Sequence, residues 1–335
     1  MQRQTFFYQM QLVIPIAASL ALGVSTQAYA ASLGVASDYN VFTLGNFTQT
    51  STDVEGKLAV GGNATFTGGF GVGSHLSSNT GNVLVTGGNL NLNNGQVNHG
   101  NVVYGGTANV SGVGFPNGTL SKGNPIDFNA AGDYLKGLSS YLAGLTPTAT
   151  TTVQAWGAIN LSGNSSSLNI FNLSGAALSK TNYFEIANAG KDSTVVVNVS
   201  GKDVSMKNFG FNIGGISRQN VLYNFYEATS LDVSGIGIEG SILAPLAALN
   251  FNNGQINGNV IAGSVTGNGE SHNYLFNGAL PNMPSTSRDT TAGNTGGGAG
   301  SGTVAKVPEP STLLGLGLVS SLLGVVRRKG RQIKA

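Results

Sequence analysis

The segment LNFNNGQINGNVIAG, Leu249 to Gly263, recurs almost verbatim far upstream as LNLNNGQVNHGNVVYGG, Leu90 to Gly106. Apolar character is kept at matching positions: Leu92 answers Phe251, Val97 answers Ile256, Val102 answers Val260 and Val103 answers Ile261. The upstream copy carries one extra residue, His99. Each copy opens with strict alternation, so Leu249 and Phe251 face one side and Asn250 and Asn252 the other, the pattern of a half-buried strand. Asn253-Gly254 then supplies residues that tolerate positive φ, which marks a corner. Strand, Asn-Gly corner and strand, used twice, predict rungs of a parallel β-solenoid.

Smaller signals extend the pattern. Short strands are expected around Val41 to Leu44 and Lys57 to Val60, and a Gly-Gly pair closes rungs at Gly61-Gly62, Gly87-Gly88 and Gly105-Gly106. Their spacing is uneven, which fits irregular rungs better than a strict short repeat. Gly is 51 of 335 residues, about twice the usual ~7%, and charged residues are only 9%. Such a bias can signal disorder, but 15 Phe and 10 Tyr set in alternating patterns argue for a packed core, with Gly and Asn at corners. There is no Cys, so stability rests on packing and hydrogen bonds.

Between Asp127 and Leu145 the period changes. Tyr134, Leu135, Leu138, Tyr141, Leu142 and Leu145 fall at helical spacing, Asp127 or Asn129 can cap the start, and Pro147 follows the end. One amphipathic helix over about 128–145 is expected along the side of the solenoid, because its apolar stripe must be covered. With only Lys136 on its polar side it lacks the basic face of a membrane-surface helix. Strand patterns return over 152–236, and Val54-Glu55-Gly56 is echoed by Ile238-Glu239-Gly240. The two halves are therefore expected to stack as one solenoid, with the helix and middle strands as the crossover. The fold class is mainly β, with a short C-terminal hydrophobic helix in addition.

Both ends read as processing signals. Arg3 precedes an apolar run from Leu12 to Val24, and Ala28-Tyr29-Ala30 offers the small residues that signal peptidase requires, so the mature chain is expected to start near Ala31. At the other end Val307-Pro308-Glu309-Pro310 precedes an apolar stretch, Leu313 to Val326, and then Arg327, Arg328 and Lys329. That stretch is short for a ~30 Å hydrocarbon core, a marginal span at best, and the basic cluster places the C-terminus on the cytoplasmic side. The three parts in this order resemble the PEP-CTERM sorting signal of Gram-negative bacteria. The resemblance implies recognition and cleavage by an exosortase, in cells that make exopolysaccharide. Residues 282–306 are Gly/Ser/Thr-rich and read as a flexible linker. The expected organisation is signal peptide 1–30, β domain 31–281, linker 282–306 and sorting signal 307–335.

Without Arg3 and the five basic residues from Arg327 to Lys334, the 16 basic residues become 10; without Glu309 the 14 acidic residues become 13, a net charge of −3. No basic patch remains to hold nucleic acid.

Longer stretches resemble the choice-of-anchor A family: SDYNVFTLGNFTQTSTDVEGKLAVGGN, PIDFNAAGDYL, LSGAALSKTNYFEI, NVLYNFYEATSL and EGSILAPLAALNFNNGQINGNVIAGSVTGNGESHNYLFNGALP. The likeness covers most of the mature chain. It implies an extracellular domain joined to one of several attachment signals, similar to ice-binding-like adhesive β-helix domains, and brings no catalytic residues.

No nucleophile elbow, SxxK, HExxH or phosphate loop occurs. His75, His99 and His272 are far apart in sequence and read as loop or corner residues rather than ligands. Glu55 and Glu239 would approach within ~4.8 Å if their rungs stacked, close enough to share a cation or act as a glycosidase pair, but two corner carboxylates are the simpler reading. No residue is assigned a catalytic, cofactor or metal role. The expected protein is a non-enzymatic surface adhesin contacting extracellular polysaccharide or a matrix polymer. An ice-binding protein is the first alternative and a β-helix hydrolase or lyase the second. Ice binding would need outward Thr recurring on one flat face, and Thr48-Gln49-Thr50 and Thr65-Phe66-Thr67 read as isolated.

Overall fold

The computed structural model describes residues 32–77 and 81–284. The chain divides into two units, Met1–Ser285 and Thr286–Ala335. The expected signal peptide and its Ala28 and Ala30, most of the linker, and the sorting residues Val307, Pro308, Glu309, Pro310, Arg327, Arg328 and Lys329 lie outside the described residues. Among the described residues no helix is long and apolar enough to cross a membrane.

The first unit is a parallel β-solenoid of three faces. One face runs, in spatial order, through Leu168–Ser174, Thr194–Ser200, Val221–Asn224, residues 241–244, residues 260–262, Val41–Thr43, Leu58–Val60, Asn82–Thr86, Asn101–Tyr104 and Leu120–Lys122. Val41 pairs with Leu58 on one side and with Val260 on the other, so the first rungs of the chain lie directly against the last. The chain thus winds from the middle of the solenoid to one end, crosses over, and winds back from the other end. Both copies of the repeat belong to this one stack, as expected. The middle strands differ from expectation: Leu168–Ser174, Thr194–Ser200 and Val221–Asn224 are rungs, not crossover. Their Val-rich runs, all buried in VVVNV, are the mark of strands covered on both sides.

The crossover is helix α1, Phe128–Ala143. Its start is fixed by Asp127, whose Oδ1 accepts from the backbone N–H groups of Asn129 (3.1 Å) and Ala130 (3.0 Å). Ala131, Leu135, Leu138 and Leu142 are buried against outward side chains of the covered face, Phe42, Ala59, Val85, Leu243 and Ile261. Two buried asparagines dock it through its backbone: Asn198 Nδ2 donates to the Leu142 carbonyl (2.8 Å) and Asn224 Nδ2 to that of Ser139 (2.9 Å). The short helix α2, Gly175–Leu178, turns one corner.

Inside, side chains of the remaining faces interdigitate. Phe47, Phe66 and Phe70 pack at centroid distances of 4.7–6.0 Å, and Leu249, Phe251 and Val265 join the same core. The recurring Gly-Gly pairs have a steric cause. At this corner Asn46 Oδ1 accepts from Asn63 N, Asn63 Oδ1 from Asn89 N, and Asn89 Oδ1 from Thr107 N. A Cβ on Gly88 would stand 2.5 Å from Asn63 Oδ1, so the amide ladder excludes any side chain there. In the upstream repeat the extra residue His99 takes φ 59°, absorbing the insertion at a corner. A smaller sheet of Thr150–Val153, Ile159–Ser162, Tyr183–Ala187 and Gly210–Asn212 closes the third side at the far end.

Candidate functional site

Helix α1 packs on the first face and leaves the second open. The strand segments of this second face are residues 108–111, 90–93, 64–67, 47–50, 264–267, 248–252, Ser230–Ser234 and Asp203–Lys207, all parallel, and the register breaks where the longer strands turn the corner, between Thr50 and Thr52 and between Phe66 and Phe70. Alternation sends every second side chain outward, so register alone aligns Asn109, Asn91, Thr65, Thr48, Thr266, Asn250, Asp232 and Ser205 in one column. A second column two residues on holds Ser111 and Asn93, Thr67 and Thr50, and Asn252, Ser234 and Lys207. Neighbours sit one strand spacing apart, ~4.8 Å.

The amides brace one another. Asn91 Oδ1 accepts from Asn109 Nδ2 (3.2 Å) and Asn93 Nδ2 (3.0 Å); Asn250 Oδ1 accepts from Asn252 Nδ2 (2.8 Å) and Thr266 Oγ1 (3.5 Å). Charge is confined to one end, where Lys207 Nζ binds Asp232. The threonines expected to be isolated are not: Thr48 pairs with Thr65 and with Thr266, and Thr50 with Thr67. This corrects the expectation, because adjacency across rungs depends on register, which the uneven spacing conceals. A shallow depression of about 310 Å³ lies among Thr48, Thr50, Thr67, Thr266 and Asn252, over Gly267.

The third face gathers the titratable groups. Val54 pairs with Ser271, setting Asp53 beside Glu270 and Glu55 beside His272. Glu239 does not meet Glu55; Asn257 and His272 stand between them on intervening strands. The expected carboxylate pair therefore does not form. His75 and His272, read from sequence as loop or corner residues, both reach carboxylates: His75 Nδ1 lies 2.9 Å from Glu55 Oε1 and His272 Nε2 3.3 Å from Glu270 Oε1. Glu55 Oε2 accepts from Asn273 N at 2.9 Å. Glu239 is paired with Arg218 at 3.0 Å, and the guanidinium stacks on Tyr274 at 4.7 Å. Burial, and then the charge and hydrogen bond of Glu270, push the Asp53 carboxyl above its ordinary value. The contacts between residues 53–55 and 270–273 span over 200 positions, and no local motif announces them.

The family profile of an ice-binding-like adhesive domain matches residues 32–273, and that of the PEP-CTERM protein-sorting motif matches residues 306–332. No curated protein matches the chain in sequence. Similar solved structures include an ice-binding protein from the Antarctic ascomycete Antarctomyces psychrotrophicus (14% identity, 72% of this chain and 98% of that one, TM-score 0.32). They also include the DUF3494 domain of Shewanella frigidimarina ice-binding protein 1 (13% identity, 75% and 98%, TM-score 0.40). A third is an ice-binding protein from an Antarctic biological consortium (12% identity, 81% and 95%, TM-score 0.33).

Proposed function

Because the chain belongs to the ice-binding-like adhesive domain family and carries a PEP-CTERM sorting motif, we propose that this exported surface protein is a non-enzymatic adhesin whose open face holds extracellular polysaccharide. The observation that carries the reading is the pair of outward columns of amide and hydroxyl groups, uncharged from Asn109 to Asn250. Each group offers a hydrogen bond worth only about 1 kcal/mol net, but a rigid row of them pays little ordering entropy and acts multivalently when many copies sit on one cell.

Catalysis is not part of the reading. The only acid in the columns, Asp232, is held by Lys207. On the third face the Glu55 and Glu239 carboxylates that a glycosidase pair would need are kept apart by the strands carrying Asn257 and His272. Processing follows the two end signals: signal peptidase cuts near Ala30, exosortase acts at Val307 to Pro310, and residues 282–306 space the domain from its attachment point. The C-terminal apolar stretch holds the chain in the membrane until that cleavage. One feature favours ice as a second reading, namely the contiguous threonines Thr48, Thr65, Thr266, Thr50 and Thr67.

A polysaccharide array with the purified protein, run beside reducing-sugar and ice-recrystallisation assays, separates the readings. Polysaccharide binding without release of sugar is the expected result. Ice-growth inhibition without glycan binding would transfer the open face to ice, and released sugar would make the protein an enzyme.

A further inference from the structure

The adhesive reading gives no role to the group on the third face, where two adjacent strands present Asp53-x-Glu55 and Glu270-x-His272 side by side. We propose that Glu55, Glu270 and His272 form a divalent-cation site, with Asp53 beside it, that takes a borderline first-row ion such as Mn²⁺ or Zn²⁺.

Three observations carry this assignment. Carboxylate oxygens of Glu55 and Glu270 and a ring nitrogen of His272 all lie within 4.8 Å of one another. Ligands bound at about 2.1 Å stand at most about 4.2 Å apart, so closing on an ion requires side-chain movements under an ångström. Next, Glu55 is only 8% exposed, and no lysine or arginine pairs with it, with Asp53 or with Glu270 among the described residues. Its charge partner is His75, which is 65% exposed and charged only when protonated. A buried carboxylate without a fixed counter-charge is costly, and two more carboxylates beside it compound the cost. Glu239, by contrast, has Arg218.

The third observation is the orientation of the imidazole. Asn257 Nδ2 donates to Glu239 Oε1 (3.0 Å), which leaves Asn257 Oδ1 to accept from His272 Nδ1 at 2.7 Å. With its proton on Nδ1, the neutral ring turns the Nε2 lone pair toward Glu270 Oε1 at 3.3 Å. A proton on Nε2 would answer Glu270 alone, whereas a cation bound there is also within reach of the Glu55 carboxylate. Asn257 thereby acts as the outer partner that metal-bound histidines use to fix their tautomer. Two carboxylates with one imidazole suit Mn²⁺ or Zn²⁺; Ca²⁺ prefers six to eight oxygens.

The site lies on a different face from the Asn/Thr columns, so either reading can fail without the other. The test titrates Mn²⁺ alone into chelator-treated, desalted protein, followed by electron paramagnetic resonance, with Zn²⁺ and Ca²⁺ as competitors. One Mn²⁺ per chain, displaced by Zn²⁺ far better than by Ca²⁺ and weakened at least tenfold in Glu270→Gln and in His272→Gln, is expected. Should a variant fail to fold, the wild type still decides: bound Mn²⁺ should broaden the His272 ring resonances and spare those of His99. Absence of stoichiometric binding, variants equal to wild type, or His272 ring resonances that do not respond to Mn²⁺ would overturn the proposal.

Discussion

Asn224→Ala tests how the helix is held. Asn224 is fully buried; its Nδ2 donates to the Ser139 carbonyl (2.9 Å) and to Asn198 Oδ1 (2.8 Å), and its Oδ1 accepts from Ser139 Oγ (2.6 Å). Truncation removes three hydrogen bonds, each worth about 1 kcal/mol net, and strands the Ser139 hydroxyl and the Asn198 oxygen, where a buried unsatisfied group costs about 1–3 kcal/mol. The expected loss is about 3–5 kcal/mol, a large part of the ~5–15 kcal/mol that holds a domain together. Urea unfolding should show a lower midpoint at unchanged slope. Part of the loss is shared with Ser139→Ala, so the double variant should deviate from additivity by more than about 0.5 kcal/mol. A loss under about 1 kcal/mol, or strict additivity with Ser139→Ala, would refute this account of helix docking.

Phe251→Asp places an unpaired charge where Phe251 is 1% exposed; at several kcal/mol it should abolish cooperative melting, and a retained sharp transition would speak against burial of the repeat. In the metal-free protein, a carboxyl pKa raised in the folded state means that the native form binds more protons than the unfolded one above the ordinary value of 3.8. Stability from this group therefore falls as pH rises through the folded pKa. Asp53→Asn should raise the melting temperature at pH 7 and match wild type in acid below that ordinary value; equal melting at pH 7 would remove the crowding argument. At the ends, mass spectrometry of the native protein should find no residues before Ala31, and deleting residues 307–335 should abolish surface sorting; a product retaining Met1, or unchanged localisation, would contradict these two expectations.

What was legible in the sequence was local. Alternation of Leu249, Asn250, Phe251 and Asn252 announces a half-buried strand, and Asp127 with Leu135, Leu138 and Leu142 announces a capped helix, because both periods are written within a few residues. Gly61-Gly62 and its repeats marked corners, although the asparagine ladder that forbids a side chain there emerges only when the rungs stack. Register between rungs was not legible. Parallel strands join residues far apart in the chain, and nothing near Val41 indicates that Val260 will be its neighbour. The same gap hid both surfaces: Thr48 meets Thr65 after an irregular rung and Thr266 from the far end of the domain, and Glu55 meets His272 across a similar distance. The Glu55 and Glu239 pairing failed because similar tripeptides occupy similar corners without occupying neighbouring rungs.

The central claim, that the uncovered Asn/Thr face is the adhesive surface, is tested most directly by loading it with bulk. Thr48→Arg with Thr65→Arg places two protruding side chains at the middle of the columns, on positions that are not in the core, and should leave the melting temperature within about 2 °C of wild type. Surface plasmon resonance on immobilised polysaccharides that the wild type binds should then show at least a tenfold loss of affinity, while Arg218→Gln on the third face binds normally. A double variant that binds as tightly as wild type would contradict the assignment of this face.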